Sequence, residues 1–188
     1  MVTKGLRKKL EIAEDEVVLI YVGRLTGIKR PDRLINAFRK ACDDCHNLTL
    51  LVVGDGELRA ETEKQAVGLK VKFLGWRTDV YELMTISDIA ILTSDNEGMP
   101  ITLIEAAHLG LPSISTNVGS VSDVVISAKT GYTTSIDEES ISERIKQLAT
   151  SKSLRDKFGN AAKLHATENF SVNSMVDFHK KTYKSILD

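Results

Sequence analysis

Short apolar runs alternate with amphipathic segments along most of this chain, and that alternation limits the folds open to it more than any other feature. The run Val17-Val18-Leu19-Ile20-Tyr21-Val22 is apolar at every position and rich in β-branched residues. A strand that is apolar on both faces belongs inside a parallel sheet covered by helices. Similar runs follow at Leu48–Val53, 71–74, Ile89–Leu92 and Ser113–Thr116, with a weaker one at Gly131–Thr134. Helical segments are expected between them at 31–45, with Pro31 in the first turn, and at 57–67. Further helices are expected from Asp79 as a cap through Thr85, at 100–109 with Gly110 as a stop, and at 121–127. A short helix over 4–12, with Leu6 and Leu10 on one face, precedes the first strand. Beyond residue 134 the pattern is helical throughout, at Glu138–Thr150, 152–168 and 172–187. The expectation is an α/β fold: a doubly wound parallel six-stranded Rossmann-like sheet with right-handed crossovers and extra C-terminal helices. Residues 1–188 read as one domain, since no linker, repeat or low-complexity tract divides them.

Composition narrows the function classes. The formal net charge is −1, which gives no electrostatic case for nucleic acid. No apolar run approaches the roughly 20 residues that span a bilayer. The first residues lack the apolar core of a secretion signal, and there are only two cysteines, so a cytoplasmic setting is the default expectation. Cys42-Asp43-Asp44-Cys45-His46 spells a haem-attachment pattern. The cysteines nevertheless share a helical stripe with Leu34, Ile35, Phe38 and Ala41, which predicts that both thiols face a core. Haem, metal and redox roles are therefore not expected.

In sheets of this kind ligands bind at the carboxyl ends of the strands, near the point where strand order reverses. That rule selects the loops 23–30, 54–56, 75–77, 93–100 and 117–120. The first carries Arg24 and Lys29, which read either as a planar fork and a point charge of the kind that holds a diphosphate or as ordinary solvent-exposed loop cations. The fourth leads through Gly98, Met99 and Pro100 into a helix N-terminus, where free backbone N–H groups favour an anion. Glu97 lies on that loop and Glu105 eight positions later. A carboxylate can accept two bonds from vicinal hydroxyls, so Glu105 reads either as a sugar-diol contact or as a solvated helix face. Glu97 reads as a sugar contact or an ordinary loop acid. Trp76 ends the third strand and could border a base pocket or pack against a helix. His108 is expected to pack rather than catalyse. The sequence has no phosphate loop of the G-x-x-x-x-G-K-S/T type, and Gly54-Asp55-Gly56 lacks the third glycine of the dinucleotide fingerprint.

Taken in order, Val22-Gly23-Arg24-Leu25 with Lys29-Arg30-Pro31, Val53-Gly54-Asp55-Gly56, Phe73-Leu74-Gly75-Trp76 and Glu97-Gly98-Met99-Pro100 through Glu105-Ala106 resemble the C-terminal, donor-binding domain of GT-B-fold glycosyltransferases, family 4 (glycosyl transferases group 1). Gly110-Leu111-Pro112, Asn117-Val118-Gly119 and Phe170-Ser171 extend the resemblance over nearly the whole chain. It implies half of a retaining transferase that moves a sugar from a nucleoside-diphosphate sugar to an acceptor such as a glycan or lipid-linked glycan. By that likeness Arg24 and Lys29 hold the diphosphate and stabilise the leaving group, and Glu105 takes the ribose hydroxyls. Glu97 contacts the donor sugar, Gly98, Met99 and Pro100 give backbone bonds, and the backbone near Trp76 and Arg77 meets the base. The likeness implies no cofactor and no metal. It also implies that the acceptor-binding N-terminal domain is missing, and with it any peripheral contact with the inner face of a membrane. The 188 residues alone are then expected to bind donor and transfer nothing. The alternatives are a non-enzymatic nucleotide-binding module, a GT-B-fold sugar-nucleotide epimerase, and a receiver-like signalling domain. The last would need acids after the first strand, where this chain has Gly23-Arg24.

Overall fold

The computed structural model describes residues 2–171, 174, 176, 179, 180 and 182–184. The expected last helix, over 172–187, lies largely outside the described residues. Six strands form one all-parallel sheet: β1 (Val17–Val22), β2 (Leu48–Val53), β3 (Val71–Gly75), β4 (Ile89–Leu92), β5 (Ser113–Thr116) and β6 (Gly131–Thr134). Their order in space is β3-β2-β1-β4-β5-β6. All but β3 have the bounds expected from the apolar runs; β3 extends one residue further, to Gly75.

The strands lie on both sides of β1, which pairs in register with β2 from Val17 opposite Leu48 to Val22 opposite Val53. Every residue of β2 and β4 is buried, as an apolar run covered on both faces requires. The helices are α1 (Val2–Lys9), α2 (Pro31–Asp44), α3 (Arg59–Gln65), α4 (Val80–Thr85), α5 (Ile101–His108), α6 (Val121–Val124), α7 (Glu138–Thr150) and α8 (Lys152–Asn169). Asp137 caps α7 and Ser151 caps α8 through their side chains. Helix α2 packs on α3 and α7, and α5 packs on α8. Where α8 meets the turn that follows α5, glycine is needed, because a Cβ at Gly159 would fall 2.0 Å from the carbonyl oxygen of Gly110.

Two local expectations are corrected. Asp79 precedes α4 but does not cap it with its side chain; its carboxylate takes the Arg77 guanidinium instead. The helix expected over 121–127 stops at Val124, because Val125 is extended. The Thr130 hydroxyl then accepts the Ile126 N–H at 2.8 Å, closing a turn into β6.

At the amino end of the sheet a compact set of charges ties the helices to the strands. Arg7 donates to the carbonyls of Ala13, Glu16 and Ile86. Asp88 accepts the Val18 N–H at 2.9 Å and lies within 3.9 Å of both Arg7 and Arg155.

Candidate functional site

Strand order reverses between β1 and β4, so the loops that follow those two strands, 23–30 and 93–100, flank the switch point. There Lys29 Nζ donates to Glu97 Oε1 at 2.7 Å, and Ser94 Oγ donates to the same oxygen at 2.6 Å. Glu97 is only 8% exposed, so it is not an ordinary loop acid. Both bonds fall on Oε1, and among the described residues Oε2 has no hydrogen-bond partner. The loop after β5 supports this corner from behind: Ser120 N donates to the Glu97 carbonyl at 3.3 Å. A Cβ on Gly119, whose φ is +53°, would sit 1.7 Å from that carbonyl oxygen. Tyr21 lies beneath, its hydroxyl donating to the Arg24 carbonyl at 3.0 Å. Burial first, and the Glu97 charge second, push the Tyr21 phenol above its ordinary pKa.

Arg24 points outward from the same β1 loop. It is exposed and has no ion pair among the described residues. With Val22, Val53, Gly54, Trp76 and Val80 it lines a mainly apolar cleft of about 280 Å³ at the carboxyl ends of β1, β2 and β3. The β2 loop can lie this close to the β1 loop only because of two glycines. A Cβ at Gly54 would meet the Gly23 carbonyl oxygen at 2.0 Å, and one at Gly56 the Leu25 oxygen at 2.3 Å. Trp76 is 80% exposed at the rim, so the packing alternative for this residue does not hold. Arg77, which also lines the cleft, has its charge paired with Asp79 through two bonds of 2.7 and 2.6 Å.

The third part is the turn 98–100. Helix α5 starts at Ile101, one residue later than expected, with Pro100 as its N-cap and no side-chain cap bond. The N–H groups of Gly98 and Met99 have no acceptor among the described residues. A Cβ at Gly98 would meet nothing within 4 Å, so the protein itself does not require glycine there. Glu105 stands exposed on α5 with no carboxylate partner among the described residues. The fold thus brings Lys29 and Glu97 into contact, places Arg24 beside Trp76 and Arg77, and leaves Glu105 separate on its helix.

Sequence reasoning gave no role to Arg30, Arg33 and Asp95, which link the two central loops. Arg33 is 4% exposed and donates to the Thr93 carbonyl and to Asp95 Oδ1, each at 2.7 Å. Arg30 also reaches Asp95, at 3.3 Å. Burial alone would raise the Asp95 carboxyl, but hydrogen bonds from Arg33 and Arg30 outweigh it and hold Asp95 below its ordinary pKa. The signal available in the sequence was an arginine pair three apart after the loop, with an aspartate two residues before Glu97.

Cys42 and Cys45 do pack against the core; burial pushes the Cys42 thiol up to about 11. Among the described residues no group of three or more His, Cys, Asp or Glu side chains could hold a metal ion. No described helix is long and apolar enough to cross a membrane.

A family model described as glycosyl transferases group 1 matches residues 2–165. The chain is 29% identical over 187 residues to N-acetyl-alpha-D-glucosaminyl L-malate synthase of Bacillus anthracis, covering 97% of this chain and 49% of that protein. It is 27% identical over 138 residues to a GDP-mannose-dependent alpha-(1-6)-phosphatidylinositol dimannoside mannosyltransferase of Mycobacterium tuberculosis, covering 72% of this chain and 36% of that one. Anabaena Alr3699/HepE, solved in complex with UDP, superposes with a TM-score of 0.90 at 25% identity, covering 98% of this chain and 52% of that chain. The chain spans about half the length of these proteins or less.

Proposed function

The chain belongs to the glycosyl transferases group 1 family, and from that premise we propose that it is the donor-binding half of a retaining, family 4 glycosyltransferase that uses a nucleoside-diphosphate sugar. The observation that carries this reading is the Lys29–Glu97 contact at the switch point. It joins the loop that carries Arg24 to the loop that carries the 98–100 turn across the reversal in strand order. UDP in the HepE structure and the GDP-mannose dependence of the mycobacterial relative support a sugar-nucleotide donor.

In this reading the diphosphate lies between Arg24 and Lys29. Arg24 has no competing carboxylate and takes the larger part of the charge that develops on the leaving group. Lys29 is already partly neutralised by Glu97. The free N–H groups of Gly98 and Met99, with Pro100 turning the chain into α5, add neutral donors. Glu97 Oε2 accepts a hydroxyl of the sugar while Oε1 stays on Lys29 and Ser94. Glu105 accepts the ribose hydroxyls, and the backbone at Trp76 and Arg77 borders the base. The cations and backbone donors take the part a metal plays elsewhere, so none is needed. Residues 1–188 act as one domain. Acceptor contacts, with any peripheral membrane contact on the cytoplasmic side, come from an acceptor-binding half that these residues do not supply. A glycan or lipid-linked glycan in polysaccharide synthesis is the proposed acceptor class. Alone, the 188 residues bind donor and transfer no sugar.

Calorimetric titration with UDP, GDP and ADP tests the reading. At least one should bind, and Arg24→Ala and Glu105→Ala should each weaken it by about 1.5–3 kcal/mol, the scale of a charge-assisted hydrogen bond. Wild-type affinity in both variants would refute the site. Sugar transfer by the 188 residues alone would refute the division of labour.

A further inference from the structure

Arg30 is the residue before α2, yet its backbone is left-handed, with φ 51° and ψ 57°, and its side chain makes no cap bond. That region is strained for any residue with a Cβ, and the following Pro31 favours extended backbone instead. Strain of this kind persists only where surrounding contacts fix it. Those contacts are on Asp32 and Asp95. The Arg30 guanidinium grips Asp32 through Nε and Nη2, the latter at 2.7 Å, and reaches Asp95 Oδ2 at 3.3 Å. Arg33 holds the other Asp95 oxygen and the Thr93 carbonyl. The backbone adds two more ties: Asp95 N donates to the Ile28 carbonyl at 2.9 Å, and Thr93 Oγ1 donates to the Arg30 carbonyl at 3.1 Å. Both sequence neighbours of Lys29 are therefore tied to residues two and four positions ahead of Glu97.

We propose that Arg30, Arg33 and Asp95 are positioning residues, a clamp that sets the gap between Lys29 and Glu97 and so fixes the spacing at which phosphate and sugar are held. The clamp's role in binding rests on the donor-binding reading of those two residues. Arg33 is buried but the Asp95 side chain is 41% exposed, and an ion pair with one partner in solvent is weak evidence for stability. What it supplies that apolar contact does not is a defined distance between two loops, because a planar fork accepts few geometries.

Two measurements on the 188-residue chain test the clamp. The first needs no ligand: the acetylation rate of Lys29 by an amine-reactive reagent, read by peptide mass spectrometry. Asp95→Ala should raise that rate several-fold while Lys70 and Lys152 label as in wild type. An unchanged Lys29 rate overturns the clamp. The second titrates UDP-glucose and GDP-mannose. Arg30→Gly relieves the left-handed backbone, so its melting temperature should stay within about 3 °C of wild type, yet the sugar nucleotide should bind at least five-fold more weakly. Asp95→Ala should cost as much in the wild-type background and nothing further once Glu97→Gln is present, because it acts through Glu97. Multiplying losses, or affinity that falls only in step with melting temperature, would mean a structural role alone. If wild type binds neither sugar nucleotide, the donor reading fails, and the Lys29 labelling still decides whether the clamp sets that contact.

Discussion

At the amino end of the sheet, Arg7 donates to three carbonyls, Arg155 to two more, and Asp88 accepts the Val18 N–H between those two cations. Lys70 is paired with Glu16 at 2.8 Å. At the carboxyl end, Arg24 and Glu105 have no ionic partner among the described residues, Gly98 and Met99 keep free N–H groups, and Glu97 uses one oxygen of two. Concavity alone would choose the amino end. A cavity of about 440 Å³ beside Asp88, Lys152 and Arg155 is larger than the 280 Å³ cleft beside Arg24 and Trp76. Unused hydrogen-bonding capacity at the surface separates the two ends better than volume does: Arg7 Nε at the amino end lacks a partner but is buried, whereas a polar group without a protein partner on exposed Arg24, Gly98, Met99 or Glu105 is available to a ligand. The carboxyl end is not loosely built, though. Gly54, Gly56 and Gly119 let its loops touch backbone to backbone, so free groups are displayed from a tightly packed base.

Substitutions that act on one end and spare the other can break that contrast. The largest expected effect is at Gly119→Ala, where a methyl group would overlap the Glu97 carbonyl at a positive φ. We expect about 3 kcal/mol of lost stability, or more, in urea unfolding, with nucleotide binding lost as well. Wild-type stability in this variant would show that the loops can part at little cost. Next is Asp88→Ala, which leaves the Val18 N–H without its acceptor and two arginines without a nearby carboxylate. It should lose about 1–3 kcal/mol in the same assay while nucleotide affinity at the opposite end stays unchanged; weaker binding would mean the ends are coupled. Gly98→Ala should behave in the reverse manner. Its Cβ has open space, so stability should stay within about 0.5 kcal/mol, and donor binding should weaken by about 1 kcal/mol as the methyl group competes for ligand space. Undiminished binding would remove the turn from the site.

The smallest effect is a matter of pH. Hydrogen bonds from Ser135 and Ser140 hold the Asp137 carboxyl at about 2, below the ordinary aspartate value near ~3.9. A depressed carboxyl stabilises the fold above its unfolded pKa, and that contribution fades as pH falls through the folded value. Asp137→Asn should therefore flatten the stability profile between about pH 4 and pH 2 and leave nucleotide affinity at neutral pH as it was. A profile as steep as wild type would place the acid sensitivity elsewhere.

The sheet was legible because its evidence is local. Runs such as Ile89–Leu92 and Ser113–Thr116 carry their own bounds, and a run apolar on both faces leaves one architecture. The general location of the candidate site followed from topology. Its internal arrangement did not, because it depends on contacts between loops far apart in sequence. Glu97 read equally as a sugar contact or a loop acid, and its enclosure by Lys29 and Ser94 was in neither reading. Asp79 had the right position for a cap, but Arg77, two residues earlier, offered a stronger charge-assisted fork. Trp76 could have packed inward by composition alone; its exposure follows from β3 ending at Gly75, where φ is +65°. Arg33 was hidden for the opposite reason, since a cation in an amphipathic helix is ordinarily placed outside, and the Asp95 carboxylate and Thr93 carbonyl that make its burial tolerable lie far away in sequence.

A two-dimensional amide NMR titration with UDP and then GDP tests the contrast between the ends most directly. Amide shifts should concentrate at 23–30, 54–56, 76–77 and 97–105, with Gly98 and Met99 among the largest, while 87–88, 110–112 and 152–160 stay still. Shifts centred on Asp88 and Lys152, or no shifts with any nucleotide, would contradict the assignment of the free polar groups at the carboxyl end to a sugar-nucleotide donor.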